Sequence, residues 1–191
     1  MSSRNGNKDG WRLSGGISPV SARVVVDGPI SKKLTLLAGG RVAFPNYLLG
    51  LFPSESVKNS RAFFYDGSLK LTYTPDDRNT IAVSAYRSQD KFRFPGDTLY
   101  GWTSDVLTGR WSFLIRPNLQ FNLTALYSGY HLNVDGVAPS LTFRFTSYIE
   151  QREAKADLFY TLQQKHKIQL GLNGIRYDIS TGDAEPTGEN S

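Results

Sequence analysis

Carboxylates are the residues of this sequence whose spacing most resembles an acid–base site. Glu150, Glu153 and Asp157 lie close together along the chain, and paired carboxylates can transfer protons. If the segment is a strand, its side chains alternate between two faces, so Glu150 and Glu153 lie on opposite sides. Glu153 and Asp157 share one face with Lys155 between them. This spacing favours a ladder of ion pairs over a catalytic pair.

Histidine and cysteine offer little further chemistry. The sequence contains two histidines and no cysteine. His166 lies between two lysines in a predicted turn, and His131 lies where a predicted strand runs into a loop. Neither has a partner at the spacing of a metal site or a catalytic dyad, and solvated loop histidines are the expected interpretation. We therefore expect no enzymatic site, no metal site and no cofactor.

The composition favours strands and argues against two other classes of protein. Aromatic residues make up 13% of the chain, and the β-branched residues fall in short runs. Apolar runs are far shorter than the roughly 20 residues of a membrane-spanning helix. The 22 basic residues are interspersed with 17 acidic ones and form no cluster, so the net charge of +5 does not predict a nucleic-acid partner.

Apolar and polar residues alternate with a period of two. Between Phe63 and Tyr73 the odd positions are mostly aromatic or aliphatic, whereas the even positions include Asp66, Ser68 and Lys70. The same alternation recurs in segments that begin near Leu34, Ile81, Leu107, Phe121, Ala154 and Ile168. Each segment is therefore predicted to be a strand with one apolar and one polar face.

The strands and their connections predict an all-β, antiparallel, up-and-down meander of about eight strands. We place the strands near residues 20–27, 33–43, 61–74, 79–92, 99–115, 118–131, 140–162 and 167–180. Tight connections at 28–32, 75–78, 116–118 and 163–166 alternate with longer ones at 44–60, 90–98 and 132–139. Such alternation is typical of a transmembrane β-barrel. Residues 1–14 are then a polar N-terminal remnant, 15–180 the barrel strands and 181–191 a polar loop or tail.

A barrel in lipid sorts its side chains by face, since every second residue meets hydrocarbon and its neighbours face the lumen. The charged residues on the polar parity are therefore the candidate lumen-facing residues for contact with a ligand: Asp66, Lys70, Arg110, Glu153, Lys155 and Asp157. Tyr47, Tyr100 and Trp102 could stack on a ligand, but an aromatic girdle at the membrane surface is the preferred interpretation. A soluble barrel or sandwich has the same alternation, although its strands are usually shorter.

Several segments resemble the early barrel strands of TonB-dependent receptors, particularly those of Bacteroidetes. The segment 15–30 resembles the family's strand leading into a Gly-Pro-Ile turn. Gly40-Arg41 precedes a loop that contains Tyr47-Leu48-Leu49. The segment 64–73, Phe-Tyr-Asp-Gly-Ser-Leu-Lys-Leu-Thr-Tyr, and the return strand 79–92 are similar to a strand pair of that family.

This resemblance implies a barrel of 22 strands in the cell outer membrane, with outer-membrane lipid, an N-terminal plug domain and the TonB complex as partners. Such a receptor imports a nutrient or a metal chelate. The sequence has only about eight of those strands and no plug, so we expect a partial barrel. The alternative is a complete small eight-stranded barrel for adhesion, anchoring or catalysis at its rim. The small barrel predicts that the first and last strands pair.

Overall fold

The computed structural model describes residues 4–51, 53–54, 59–93, 98–138, 141–162 and 165–186. The strands are β1 Arg12–Ile17, β2 Ser21–Ser31, β3 Leu34–Ala43, β4 Arg61–Tyr73, β5 Asn79–Arg93, β6 Thr98–Arg116, β7 Leu119–Ala138, β8 Leu141–Leu162 and β9 His166–Pro186. A short helix, α1, spans Asn46–Leu49. No helix in the described residues is both long and apolar enough to cross a membrane.

All nine strands form one sheet in sequence order, and each strand is antiparallel to the next. The predicted all-β antiparallel meander is therefore confirmed. β1 and β9 are the two edges, and no pairing between them occurs within the described residues. The sheet is thus open, whereas a closed small barrel would have paired its first and last strands.

The strands extend beyond their predicted limits. β1 was not predicted, and it begins at Arg12, inside the segment assigned to a polar N-terminal remnant. β9 continues to Pro186, inside the predicted polar tail. The longer connections expected at 90–98 and 132–139 are mostly strand, and their central residues, 94–97 and 139, lie outside the described residues. The hairpins at this end of the sheet are therefore longer than the sequence pattern indicated.

The tight connection between β4 and β5 is held by the Asp76 side chain. Its Oδ1 atom accepts hydrogen bonds from the backbone N–H groups of Arg78 and Asn79, both at 2.8 Å. The Asn79 side chain donates to the same carboxylate at 3.0 Å. An aspartate that bonds the backbone two residues onward stabilises a turn. These bonds also lower the pKa of Asp76, because they favour its charged form.

The two faces of the sheet differ sharply in exposure. We call the face that the N-terminal segment packs against, through Arg4 and Asp27, the inner face, and the opposite one the outer face. On the outer face Leu170 and Leu172 of β9 are 64% and 80% exposed. On the inner face Asp27 and Thr72 are only 2% and 3% exposed. Near the short turns, apolar side chains therefore face the surroundings on the outer face and polar ones are crowded on the inner face, whereas farther along β9 the inner-face residues Ile175, Tyr177 and Ile179 are also exposed.

The described residues contain almost no hydrophobic core. Ala62 is the one buried hydrophobic residue among them, and none of them is a large side chain that is fully buried. A soluble barrel or sandwich gains most of its stability by burying apolar side chains between two layers. The described residues therefore lack the apolar core that a soluble barrel or sandwich buries between its layers.

Apolar residues form a continuous belt across the outer face near the short turns. One directly paired row of this belt contains Leu34, Tyr73, Ile81, Trp111, Leu123, Ala156 and Leu172. In this row Tyr73 ends β4, whereas Ala156 lies well before the end of β8 at Leu162. The short turns therefore lie at different distances from this row in successive strands. Such a stagger is expected where strands are tilted relative to the axis of a barrel.

Candidate functional site

The structure places all six sequence-predicted candidates on the inner face, at the level of the belt. Lys70 of β4 and Glu153 of β8 belong to one paired row, which runs through Ser84, Thr108 and Leu126. The remaining candidates, Asp66, Arg110, Lys155 and Asp157, have the same parity on their strands. The alternation in sequence therefore placed the six residues on one face, as the register shows, and their role as ligand contacts stays a prediction.

These charged groups are mostly paired with neighbouring residues. Arg41 Nε donates to Asp66 Oδ2 at 2.7 Å, and Lys155 Nζ lies 3.2 Å from Asp157 Oδ2. Asp157 is nearly buried, and Gln169 donates to its other oxygen at 3.2 Å. The Lys155–Asp157 contact is part of the ion-pair ladder that the spacing predicts.

The remaining candidates, Lys70, Arg110 and Glu153, make hydrogen bonds to neutral side chains or to the backbone. Lys70 Nζ donates to the backbone oxygen of Arg4 at 3.2 Å, so the N-terminal segment crosses the inner face here. Glu153 Oε2 accepts a hydrogen bond from Gln151 at 3.1 Å. Arg110 Nε lies 3.5 Å from Thr124 Oγ1 and makes no ion pair within the described residues. A polar surface of this kind can hold water or a polar solute.

Three buried oxygens on the inner face lack a hydrogen-bond partner among the described residues. They belong to Asp27, Thr35 and Thr72, and the two threonines are directly opposite each other on β3 and β4. Leaving such a group without a partner costs about 1–3 kcal/mol, so water or a further polar group must meet them.

Beyond the belt, towards the β5–β6 and β7–β8 connections, the inner face becomes aromatic and aliphatic. Its residues are Phe64, Phe92, Tyr100, Trp102, Leu132, Val134 and Phe145, which we call the aromatic wall. Phe92, Tyr100, Val134 and Phe145 are directly paired across four adjacent strands. All seven side chains are half-buried. The wall is therefore a broad apolar surface that continues the charged part of the inner face.

The geometry of Tyr100 and Trp102 differs from the girdle interpretation of the sequence. Both lie on β6 with the inner-face parity of Arg110, and their rings stack with centroids 6.1 Å apart. A girdle residue would lie on the outer face beside the belt. Stacked rings on an inner face can bind flat, sugar-like or cationic groups. Tyr47 lies in α1, and its side chain is outside the described part of the chain.

Aromatic residues of the outer face do lie where a girdle is expected. Tyr73 and Tyr160 lie at or near the turn ends of β4 and β8. Near the β6–β7 turn, Trp111 stacks on Phe113 at 5.8 Å and contacts the edge of Phe121 at 6.1 Å. These rings border the apolar belt on the side of the short turns.

The outer face becomes charged at the same level at which the inner face becomes aromatic. Arg144 Nε donates to Asp135 Oδ1 at 2.8 Å, and Arg87 lies 3.3 Å from Asp105. The Arg144 pKa is raised by this hydrogen bond and by the Asp135 charge. Surface ion pairs of this kind contribute little stability, but they mark a surface in contact with water.

The two histidines lie outside both parts of the inner face. His131 is on the outer face of β7, within 3.8 Å of Glu150 Oε1, and its ring is 5.9 Å from that of Tyr148. His166 begins β9 and is exposed. The described residues contain no group of three or more His, Cys, Asp or Glu that could hold a metal ion.

A change in the phase of the alternation could have identified the aromatic wall. In β6 the aromatic residues Tyr100 and Trp102 stand at even positions, whereas Leu107, Trp111, Phe113 and Ile115 stand at odd positions. β7 changes phase between Tyr127 and Leu132, and β8 between Phe145 and Ala154. Because the register with the neighbouring strand continues through the phase change, each of these strands has its apolar side chains on one face at one end and on the opposite face at the other end. The sequence analysis treated each strand as having one apolar face throughout.

Comparison with known proteins identifies the type of sheet. No protein-family model matches the chain, and no curated protein matches it either. Among solved structures, copper transporter OprC aligns with 91% of the chain at a TM-score of 0.60 and 16% sequence identity. The chain spans 28% of the length of that protein.

The chain has the fold of part of an outer-membrane barrel. The open sheet, the exposed belt and the staggered turns agree with this fold, because a sector of a barrel must leave two edges for neighbouring strands. The likeness does not single out the receptors of Bacteroidetes, which the sequence resemblance had suggested.

Proposed function

We propose that this chain is a sector of an outer-membrane receptor barrel that imports a nutrient or a metal chelate, as TonB-dependent receptors do. The observation that carries the proposal is the reversal of polarity along the strands. Near the short turns the outer face is apolar and the inner face charged, whereas near the other ends the inner face is aromatic and the outer face charged.

The belt fits a bilayer. From the β8–β9 turn, the apolar outer-face residues of β9 extend from Ile168 to Leu172, followed by Gly174 and then by Arg176. The stretch from Ile168 to Gly174 is seven residues and the apolar outer-face stretch of β6, Leu107–Ile115, is nine, close to the 9–11 residues that a tilted strand needs to cross the hydrocarbon. Placing an Arg or Lys at the middle of that span costs about 2–4 kcal/mol, so the belt lacks charge for a physical reason. The neighbouring lipid is a partner under this proposal.

The aromatic wall lies beyond the belt and is the proposed first contact for a solute. Tyr100, Trp102 and Phe92 give flat apolar surfaces, and Asp90 is directly opposite Trp102 in the paired register. An arriving solute can stack on the rings and then meet the charged part of the inner face. Under this proposal the chain binds and passes a solute and carries out no catalysis.

The open sheet favours a sector of a larger barrel over the small closed barrel. Edge strands present unpaired backbone groups, and lipid cannot satisfy them. β1 and β9 would each pair with a further strand, and a plug domain and the TonB complex would complete the importer. The copper named for OprC is one candidate cargo. The two histidines and the absence of cysteine give this chain few of the softer ligands that copper prefers.

Solute contact can be tested through Trp102. Replacing Trp11 and Trp111 by Phe leaves Trp102 as the single tryptophan of the chain. The protein, in outer-membrane vesicles, is titrated with a ferric catecholate, cobalamin, a short oligosaccharide and a Cu²⁺ salt. We expect one of these probes to change the fluorescence in a saturable way, and Tyr100→Ala to weaken that binding by about tenfold, since stacking on one ring is worth about 1–3 kcal/mol.

Import itself needs a second measurement. Cells that express the complete receptor proposed to contain this chain should accumulate the bound probe, and an uncoupler of the inner membrane should abolish this accumulation. Asp135→Asn, on the outer face, is the matched control and should leave binding unchanged. Saturable binding without energised accumulation would contradict import, and a Trp102 signal that responds to none of the four probes would contradict the proposed solute contact.

A further inference from the structure

Two arginines face each other on the outer face, at the limit of the belt that is farthest from the short turns. Arg152 of β8 and Arg176 of β9 are directly opposite in the paired register, and both side chains are exposed. Like charges in this arrangement destabilise a strand pair. Such a pair is therefore expected where a further negative group compensates the repulsion.

The nearby carboxylates compensate this pair only partly. Glu150 Oε2 lies 3.3 Å from Arg152, but its other oxygen accepts a hydrogen bond from Tyr127 at 3.1 Å and lies 3.8 Å from His131. Arg176 makes no ion pair within the described part of the chain, and Asp178, two residues away on the same face, is directly opposite Glu150 and itself makes no ion pair there. One arginine of the pair thus keeps its guanidinium donors for another acceptor.

The position of the pair points to the membrane surface. Both arginines are about ten residues from the β8–β9 turn, which is about the length of strand that crosses a bilayer. Below them on the outer face are Ala154 and Gly174, which are small, and a Cβ built on Gly174 would meet no atom within 4 Å. A group at the level of the lipid headgroups can therefore reach both guanidinium groups without obstruction.

We propose that Arg152 and Arg176 bind the phosphate of an anionic lipid in the leaflet next to the β7–β8 end of the sheet. A phosphate accepts several charge-assisted hydrogen bonds, and guanidinium groups match its geometry. The bound phosphate removes the repulsion between the two arginines. This site rests on one part of the proposed function, namely that the belt lies in a bilayer, and it does not depend on import.

Native mass spectrometry of the detergent-solubilised protein tests the site. The affinities for phosphatidylglycerol and phosphatidylcholine are compared for the wild type, for Arg152→Gln/Arg176→Gln and for Arg87→Gln/Arg144→Gln. The control variant also removes two outer-face arginines, but each of these has an aspartate partner. We expect the first variant to bind phosphatidylglycerol at least about tenfold more weakly, from the loss of charge-assisted hydrogen bonds, and the control to bind as the wild type does.

Two further measurements distinguish a lipid site from a phosphate site and from a failure of membrane insertion. Inorganic phosphate should fail to compete at concentrations that match the lipid, and equal competition would overturn the lipid assignment. Equal loss of affinity in both variants, or in neither, would overturn the site. Insertion of the same proteins, with Trp11 and Trp102 also replaced by Phe, into vesicles is followed by quenching of Trp111 with brominated lipid. Failure to insert would overturn the membrane proposal as well, whereas normal insertion without preference for phosphatidylglycerol would overturn the arginine site alone.

Discussion

The two ends of this sheet use the same strands and the same register but opposite patterns of polarity. Near the short turns, Trp111 and Leu123 face outward, and Arg110 and Lys155 face inward. At the other end, Trp102 faces inward and the charged side chains face outward. The register fixes which residues share a face, and the surroundings of each end decide which face is apolar.

This difference shows that strand alternation reports the solvent on each side of a sheet. An outer face in lipid must be apolar, and the same face beyond the lipid meets water and can carry charge. The inner face has the opposite pattern, because it carries charged and polar side chains at the level of the belt and the aromatic wall at the end of the sheet away from the short turns. A phase change that recurs at similar heights in neighbouring strands therefore marks a boundary between two environments.

The largest expected effect comes from a charge placed on one face of the belt. Leu123→Arg puts a guanidinium on the outer face, where it should lower the free energy of unfolding by about 2–4 kcal/mol. Asn122→Arg, at the neighbouring position, places the same group on the inner face opposite Asp157 and should have little effect. Urea titration of the protein in lipid vesicles measures both. Equal losses for the two variants would contradict the assignment of the faces.

A second comparison uses two glycines of β9 at the two ends of the sheet. Gly182 has a φ of 127°, and a Cβ built there would lie 2.1 Å from the ring of Phe145 in the aromatic wall. Gly182→Ala should therefore destabilise the β8–β9 pairing at that end by about 1–3 kcal/mol. Gly174→Ala, within the belt, meets no neighbouring atom and is the matched control. Hydrogen exchange of β9 should increase near residue 182 in the first variant alone.

Faster exchange along all of β9 in Gly182→Ala would show that the two ends do not behave as separate regions. Unchanged exchange near residue 182 would show that the wall tolerates a Cβ at this position, and the packing described for Phe145 would then be wrong.

The smallest expected effect concerns the turn that joins β4 and β5 below the belt. The Asp76 carboxylate has a pKa below its ordinary value in the folded protein, because Arg78 and Asn79 donate hydrogen bonds to it. Its contribution to stability is therefore present above the ordinary aspartate value, about 3.9, and is lost as the pH falls through the lower folded pKa. The stability difference between wild type and Asp76→Asn, measured against pH, should shrink below about pH 4. A difference that stays constant down to pH 2 would exclude this role.

The sequence allowed the architecture and the charged half of the inner face to be predicted, because period-two alternation is strict where one face is apolar. Asp66, Lys70 and Glu153 all lie on the predicted side. β1 could not be recognised, since its short segment with Gly15 and Gly16 has few strand-forming residues and depends on pairing with β2.

The aromatic wall was not predicted because the identity of an aromatic residue does not reveal which side of a sheet it occupies. Tyr100 and Trp102 have the composition of girdle residues, and only the register of β6 with β5 and β7 places them on the inner face. Pairing of this kind depends on residues distant in the sequence. The phase change within β6 indicates from the sequence that the apolar face changes along the strand, but which of the two faces is the inner one is a tertiary property that local alternation cannot give.

The most direct test compares the surroundings of Trp111 and Trp102 on the same strand. Two variants keep one tryptophan each, and both are placed in vesicles with brominated lipids and then exposed to aqueous acrylamide. Trp111 should be quenched strongly by the brominated lipid and weakly by acrylamide, and Trp102 should show the opposite pattern. Strong quenching of Trp102 by brominated lipid, or of Trp111 by acrylamide alone, would contradict the reversal of polarity along the sheet.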